Sequence, residues 1–242
     1  MLEVNPRASR TVPFVSKATG VPLARLAARV MAGEKLADLD VPEEPPVPGV
    51  AVKEAAFPFN RFDVDTLLGP EMRSTGEVMG FDDSFGMAFA KAQLSAGNRL
   101  PEAGQLIVTV NEQDRQTVTP LIRRFQDLGF EILATRGTQG SMQALGLSSR
   151  LVYKVGEGRP NIEDHIVTGD IALLINTPLG KKSRFDDYAM RRAAITHGVP
   201  YLTTMSATSA ACDALIALRS REREVCSIQE RIESLADPVS SD

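Results

Sequence analysis

Beyond Pro101 the chain alternates short apolar runs with amphipathic stretches. Gln105 to Val110, Phe130 to Ala134, Leu151 to Val155, Ile171 to Ile175 and Val199 to Thr203 are brief and strongly apolar, as strands buried on both faces are. Between the first two, Val118, Leu121, Ile122, Phe125 and Leu128 recur at helical spacing. Further helices are expected over Gln139 to Leu145, before Ile171, from Asp187, and from about Ser206 to Arg221. Strands alternating with helices predict an α/β fold with a five-stranded, parallel, doubly wound sheet, starting near residue 101.

The first hundred residues have another texture. Leu23, Leu26, Ala27, Val30 and Met31 mark one amphipathic helix, which Gly33 stops. Pro42, Pro45, Pro46 and Pro48 remove donors and fix φ, so 41–48 reads as a connector. Ala51 to Phe59 has extended character, Leu67 to Gly80 is rich in turn formers without a period, and Phe85, Ala88, Phe89 and Ala92 make another helix. The division expected is a mostly helical and irregular segment at 1–100, an α/β domain at 101–232, and a flexible polar tail at 233–242. A complete sheet should let 101–231 fold alone, whereas 1–100 holds only pieces and should depend on partner contacts.

Charge narrows the partners. A net charge of -4 and a pI near 5.4 argue against nucleic acid or an anionic membrane, which need clustered Lys and Arg, so any anion site must be local. No apolar run approaches the roughly 20 residues that cross a bilayer, and the amino end has no signal-like hydrophobic region, so a cytoplasmic protein is expected. Cys212 and Cys226 form no disulfide framework, and with His165 and His197 they lack zinc-ligand spacing.

Two stretches carry candidate chemistry. Thr135-Arg136-Gly137-Thr138 follows the strand Phe130 to Ala134 and opens a helix, where free N–H groups, the helix dipole and two hydroxyls can hold an anion. Lys154 on the next strand and Asn176 at the end of another would face the same rim of a doubly wound sheet. On pattern alone the alternative stands equally: Gly137 turns the chain and both threonines cap a helix. At the amino end, Glu3 and Asn5 share one side of an extended segment, with Arg7 two residues on. Such hard oxygen ligands beside a guanidinium suit Mg²⁺ and a nucleotide phosphate, or else the segment is a surface strand end.

Glu3 to Gly20, Leu67 to Gly80 and Glu157-Gly158-Arg159-Pro160 closely resemble the carboxy-terminal part of the carbamoyl phosphate synthetase large subunit. The resemblance runs to about Arg231. It implies that residues 1–100 end the second ATP-grasp unit, a ligase that phosphorylates carbamate. Glu3 and Asn5 would then bind Mg²⁺ (or Mn²⁺), Arg7 would be catalytic and meet the phosphate of ATP, and the remainder of that unit would lie upstream. It implies further that residues from 101 resemble the family's allosteric domain, which shares its fold with methylglyoxal synthase. The effector-nucleotide positions would be Arg115, Thr135, Gly137, Thr138, Lys154 and Asn176, taking UMP or IMP, with Arg115 where many relatives have Lys. Pro178 departs from relatives that respond to UMP and often carry a second Thr there. An ornithine-type activator would contact Glu54, Leu68, Tyr201 and Thr203. The implied partners are the rest of the large subunit and a glutaminase small subunit, in pyrimidine and arginine biosynthesis.

Two other functions compete with the ligase segment. A methylglyoxal synthase lyase needs a Gly-Gly-Asp base where this sequence has Gly158-Arg159-Pro160, which puts Arg in the base's place. A free-standing regulatory module that binds a nucleotide or phosphate without catalysis fits the same residues.

Overall fold

Leu106 to Val110, Ile132 to Ala134 and Leu173 to Ile175 are nearly all buried, and they form the centre of a five-stranded parallel sheet. The computed structural model describes residues 9–45, 47, 49–56, 76–177 and 180–236, without the side chains of 180–187 and 234–236. The sheet comprises β3 (Gly104–Val110), β4 (Phe130–Ala134), β5 (Arg150–Leu151), β6 (Ile171–Thr177) and β7 (Tyr201–Leu202), in the order β5-β4-β3-β6-β7. The α/β doubly wound fold expected from the sequence is the one observed. Two strands are shorter than their apolar runs. In the first, Val152 still donates to Ala134 O, but the chain then turns, with Glu157 N–H donating to Lys154 O.

Alternation along the strands splits the core in two. Leu106, Val108, Val110, Phe130, Ile132, Ala134, Leu173 and Ile175 pack against α4 (Arg115–Asp127), α5 (Arg136–Ala144) and α8 (Met205–Ser220). Ile107, Leu133, Val152, Ile171 and Leu174 pack on the other face against α6 (Ile162–Val167) and α7 (Gly180–Thr196). Crossovers leaving β3 and β4 thus cover one face and those leaving β5 and β6 the other, so the winding reverses between the paired strands β3 and β6. In such sheets ligands bind at the carboxyl ends of the strands flanking this reversal.

Before the sheet, α1 (Thr11–Thr19) and α2 (Leu23–Met31) precede an antiparallel ribbon of β1 (Val50–Ala56) and β2 (Gly76–Asp82). The ribbon lies flat on α3 (Phe85–Ser95), where a Cβ on Gly80 would fall 2.0 Å from Ala88 O. On its far side α3 meets α8 as closely, a Cβ on Gly86 lying 2.4 Å from Asp213 O. Phe89 and Ala90 of α3 belong to the same apolar cluster as β3, β4 and α8, so the core runs across residue 100. Asp82, which is 5% exposed, ties the elements together through Lys91 (2.9 Å), Ser84 N–H (3.1 Å) and Arg221. A last helix, α9 (Ile228–Ala236), reaches into the span expected to be tail and sets Arg231 over the Phe81 ring at 4.1 Å.

Candidate functional site

At the reversal between β3 and β6, polar residues replace apolar ones at the strand ends. Thr109 follows Ile107 on its face, Asn176 follows Leu174, and the two are register partners. Thr135 joins them from the end of β4. All three are buried, at 5%, 1% and 3% exposure, and so is Thr138, at 1%. The Thr135 hydroxyl lies 3.3 Å from Thr109 Oγ1 and 3.4 Å from Thr138 Oγ1, while Thr138 Oγ1 accepts from Val110 N–H at 3.3 Å. The amide of Asn176 donates to Thr109 O at 3.5 Å and accepts at Oδ1 from Arg191 of α7 at 3.3 Å.

The helix-cap reading does not describe these threonines. Thr135 occupies the N-cap of α5 in extended conformation but makes no side-chain cap hydrogen bond, and Thr138 is spent on β3. The first-turn N–H groups of α5 therefore have no capping side chain, and they lie at its exposed start, Arg136 and Gly137. Over this turn lies Arg115: a Cβ on Gly137 would come within 2.4 Å of its Nη2. Arg115 Nε is buried without a hydrogen-bond partner, and Nη1 is 3.9 Å from Glu112. Asn111 sets this placement. Its Oδ1 accepts from Gln113 and Asp114 N–H in an Asx turn that starts α4 at Arg115, and its backbone and side-chain N–H groups donate to Thr177.

The structure thus brings Arg115, Gly137, Thr135, Thr138 and Asn176 to one rim. Lys154 is exposed after β5, its N–H donating to Glu157 at 3.3 Å. Of the ornithine-type positions, Glu54 is on the ribbon, where it accepts from Gln93 at 2.9 Å and burial pushes its carboxyl up. Tyr201 and Thr203 are at the sheet edge. Glu3, Asn5, Arg7, Leu68 and Pro178 lie outside the described residues. Among the described residues no His, Cys, Asp and Glu cluster has metal-ligand geometry, and no helix is long and apolar enough to cross a membrane. Arg159 is exposed and 3.5 Å from Asp164, whose carboxylate closes the capping box of α6 with Asn161.

Thr109, Asn111, Thr177 and Arg191 belong to the rim but were not singled out in the sequence. Asn111-x-x-Asp114 after an apolar run is a legible Asx turn. Arg191, in Arg191-Arg192, carries no signal that would set it apart from a solvated helix face.

Comparison with known proteins matches residues 117–203 to a family model described as MGS-like domain. Residues 117–203 form an MGS-like domain. Residues 1–39 match a second model, the carbamoyl-phosphate synthase L chain ATP binding domain. Over 98% of its length the chain is 52% identical to the carbamoyl phosphate synthase large chain of Gemmatimonas aurantiaca, and over 95% it is 51% identical to that of Archaeoglobus fulgidus. The chain spans 22% of the length of either relative. The resemblance read from Glu3 to Gly20, Leu67 to Gly80 and Glu157 to Pro160 is borne out, and the rim described above belongs mainly to the MGS-like domain.

Proposed function

We propose that the chain acts as a segment of a carbamoyl phosphate synthetase large subunit, an ATP-dependent ligase, and that its MGS-like domain is the allosteric part, binding a phosphate-bearing effector such as UMP or IMP. The observation that carries the effector reading is the meeting of Arg115, with its unpartnered Nε, and the uncapped start of α5 at the reversal between β3 and β6. Donors dominate there: a guanidinium, first-turn N–H groups and the Thr138 hydroxyl, whose oxygen accepts from Val110. Such a set suits phosphate oxygens. Lys154 adds charge from the neighbouring turn. On the sequence match of 1–39, Glu3 and Asn5 would hold Mg²⁺ (or Mn²⁺) and Arg7 would meet the phosphate of ATP, completed by the remaining large subunit and a glutaminase small subunit.

Calorimetric titration of the chain with inorganic phosphate, UMP, IMP and ornithine tests the effector reading. Phosphate-bearing ligands should bind, and Lys154→Ala should weaken them by roughly 5-fold, the cost of losing an exposed charge worth about 1 kcal/mol. Equal affinity of Arg115→Ala, Lys154→Ala and the parent chain for every ligand that binds would sink the assignment. Supplied with ATP, bicarbonate and ammonia, the chain alone should make no carbamoyl phosphate, because two oxygen ligands are only part of a metal shell.

A further inference from the structure

Resting on that effector reading, we infer that Arg191 is a positioning residue that fixes the orientation of the Asn176 amide, so that an N–H of Asn176 is held ready for an anion. Arg191 is 1% exposed and its Nη1 donates to Asn176 Oδ1 at 3.3 Å. Guanidinium has donors only, so it can face only the oxygen of the amide. With Oδ1 engaged, Nδ2 must occupy the other position, and there it donates one N–H to Thr109 O at 3.5 Å. An amide nitrogen carries two N–H groups. The second N–H is the donor that Asn176 can turn to a ligand.

An unrestrained Asn could turn over and offer its carbonyl to an ammonium. Here that would set its NH₂ against a buried guanidinium, donor against donor. Among the described residues, Arg115 lies over Gly137 and Arg191 acts through Asn176.

Inorganic phosphate is the probe, titrated into the full chain by calorimetry and in nitrogen-15 spectra that follow the Asn176 side-chain amide. Asn176→Asp replaces the remaining donor with an acceptor and keeps a partner for Arg191 at the cost of the bond to Thr109 O, so its thermal midpoint is recorded beside its affinity. It should lose phosphate affinity by about 10- to 150-fold, the worth of a charge-assisted hydrogen bond. Saturating phosphate should also shift the Asn176 side-chain amide resonances in the parent chain and leave those in Arg191→Lys shifted less, since an ammonium does not fix the amide plane. Asn176→Asp binding phosphate within about twofold of the parent, or an amide that phosphate does not shift, overturns the role of Arg191. Failure of the parent chain to bind phosphate, or binding indifferent to Arg115→Ala, overturns the effector reading itself and this inference with it.

Discussion

Gly137→Ala separates binding at the rim from stability. The new Cβ would lie 2.4 Å from Arg115 Nη2 and 3.0 Å from Cζ, both at the far end of a flexible side chain. No backbone blocks it, and Gly137 lies within α5 without positive φ. The guanidinium can swing outward, because the Arg115 side chain is already 31% exposed. Replacing Gly by Ala inside a helix contributes about 0.5–1 kcal/mol. The displaced guanidinium gives up a charged hydrogen bond to phosphate worth about 1.5–3 kcal/mol, or roughly 10- to 150-fold in affinity. The variant should therefore unfold at equal or slightly higher urea than the parent while binding inorganic phosphate much more weakly. Unchanged affinity would refute the placement of Arg115 in the site. A loss of more than about 1 kcal/mol in stability would refute the argument that the side chain yields, since that exceeds the helix gain.

Three further outcomes follow from the packing. Thr138→Val removes the acceptor of the buried Val110 N–H and should destabilise by about 1–3 kcal/mol in urea titration; a neutral result would mean that N–H finds another partner. Gly86→Ala brings a Cβ to 2.4 Å from Asp213 O; backbone cannot rotate away, so thermal melts should show about 1–3 kcal/mol of strain. Burial alone would push the Asp82 carboxyl up, but hydrogen bonds from Lys91 and Ser84, with the charges of Lys91 and Arg221, hold it below its ordinary range. A depressed native pKa gives stability that is present above the unfolded value and lost as pH falls through the native one. The parent should thus exceed Asp82→Asn by about 1.5–3 kcal/mol at neutral pH, and the gap should close on acidification; a gap that widens in acid would contradict this.

The parallel sheet was legible because its strands are buried on both faces, which writes each as an unbroken apolar run such as Leu106 to Val108. The ribbon was harder to read. Its strands are half-buried, Gly76 and Gly80 sit within β2, and Gly80 reads as turn chemistry although it is there to let α3 approach. Helix α1 carries Pro13 within its first turn, where proline is tolerated, so composition gave it no helical appearance. At the rim, Thr135, Thr138 and Asn176 could be placed because strand ends converge in any doubly wound sheet. Their burial could not be foreseen, because it depends on tertiary pairs such as Thr109 with Asn176. Arg191 was invisible for the same reason: it reaches Asn176 on β6 from the following helix α7.

The double contact of α3 bears on how the domain can be transplanted. A module cut at residue 101 would keep every strand of the parallel sheet yet strip α8 of the helix pressed against it at Gly86, baring an alanine-rich wall that invites self-association. Starting at Asp82 instead keeps the Ser84 cap, the whole of α3 and the Arg221 ion pair. It trades the α8 face for the face of α3 that the ribbon covers at Gly80, so the seam for a chimaera lies ahead of the change in sequence texture and a cap for that face has to be supplied.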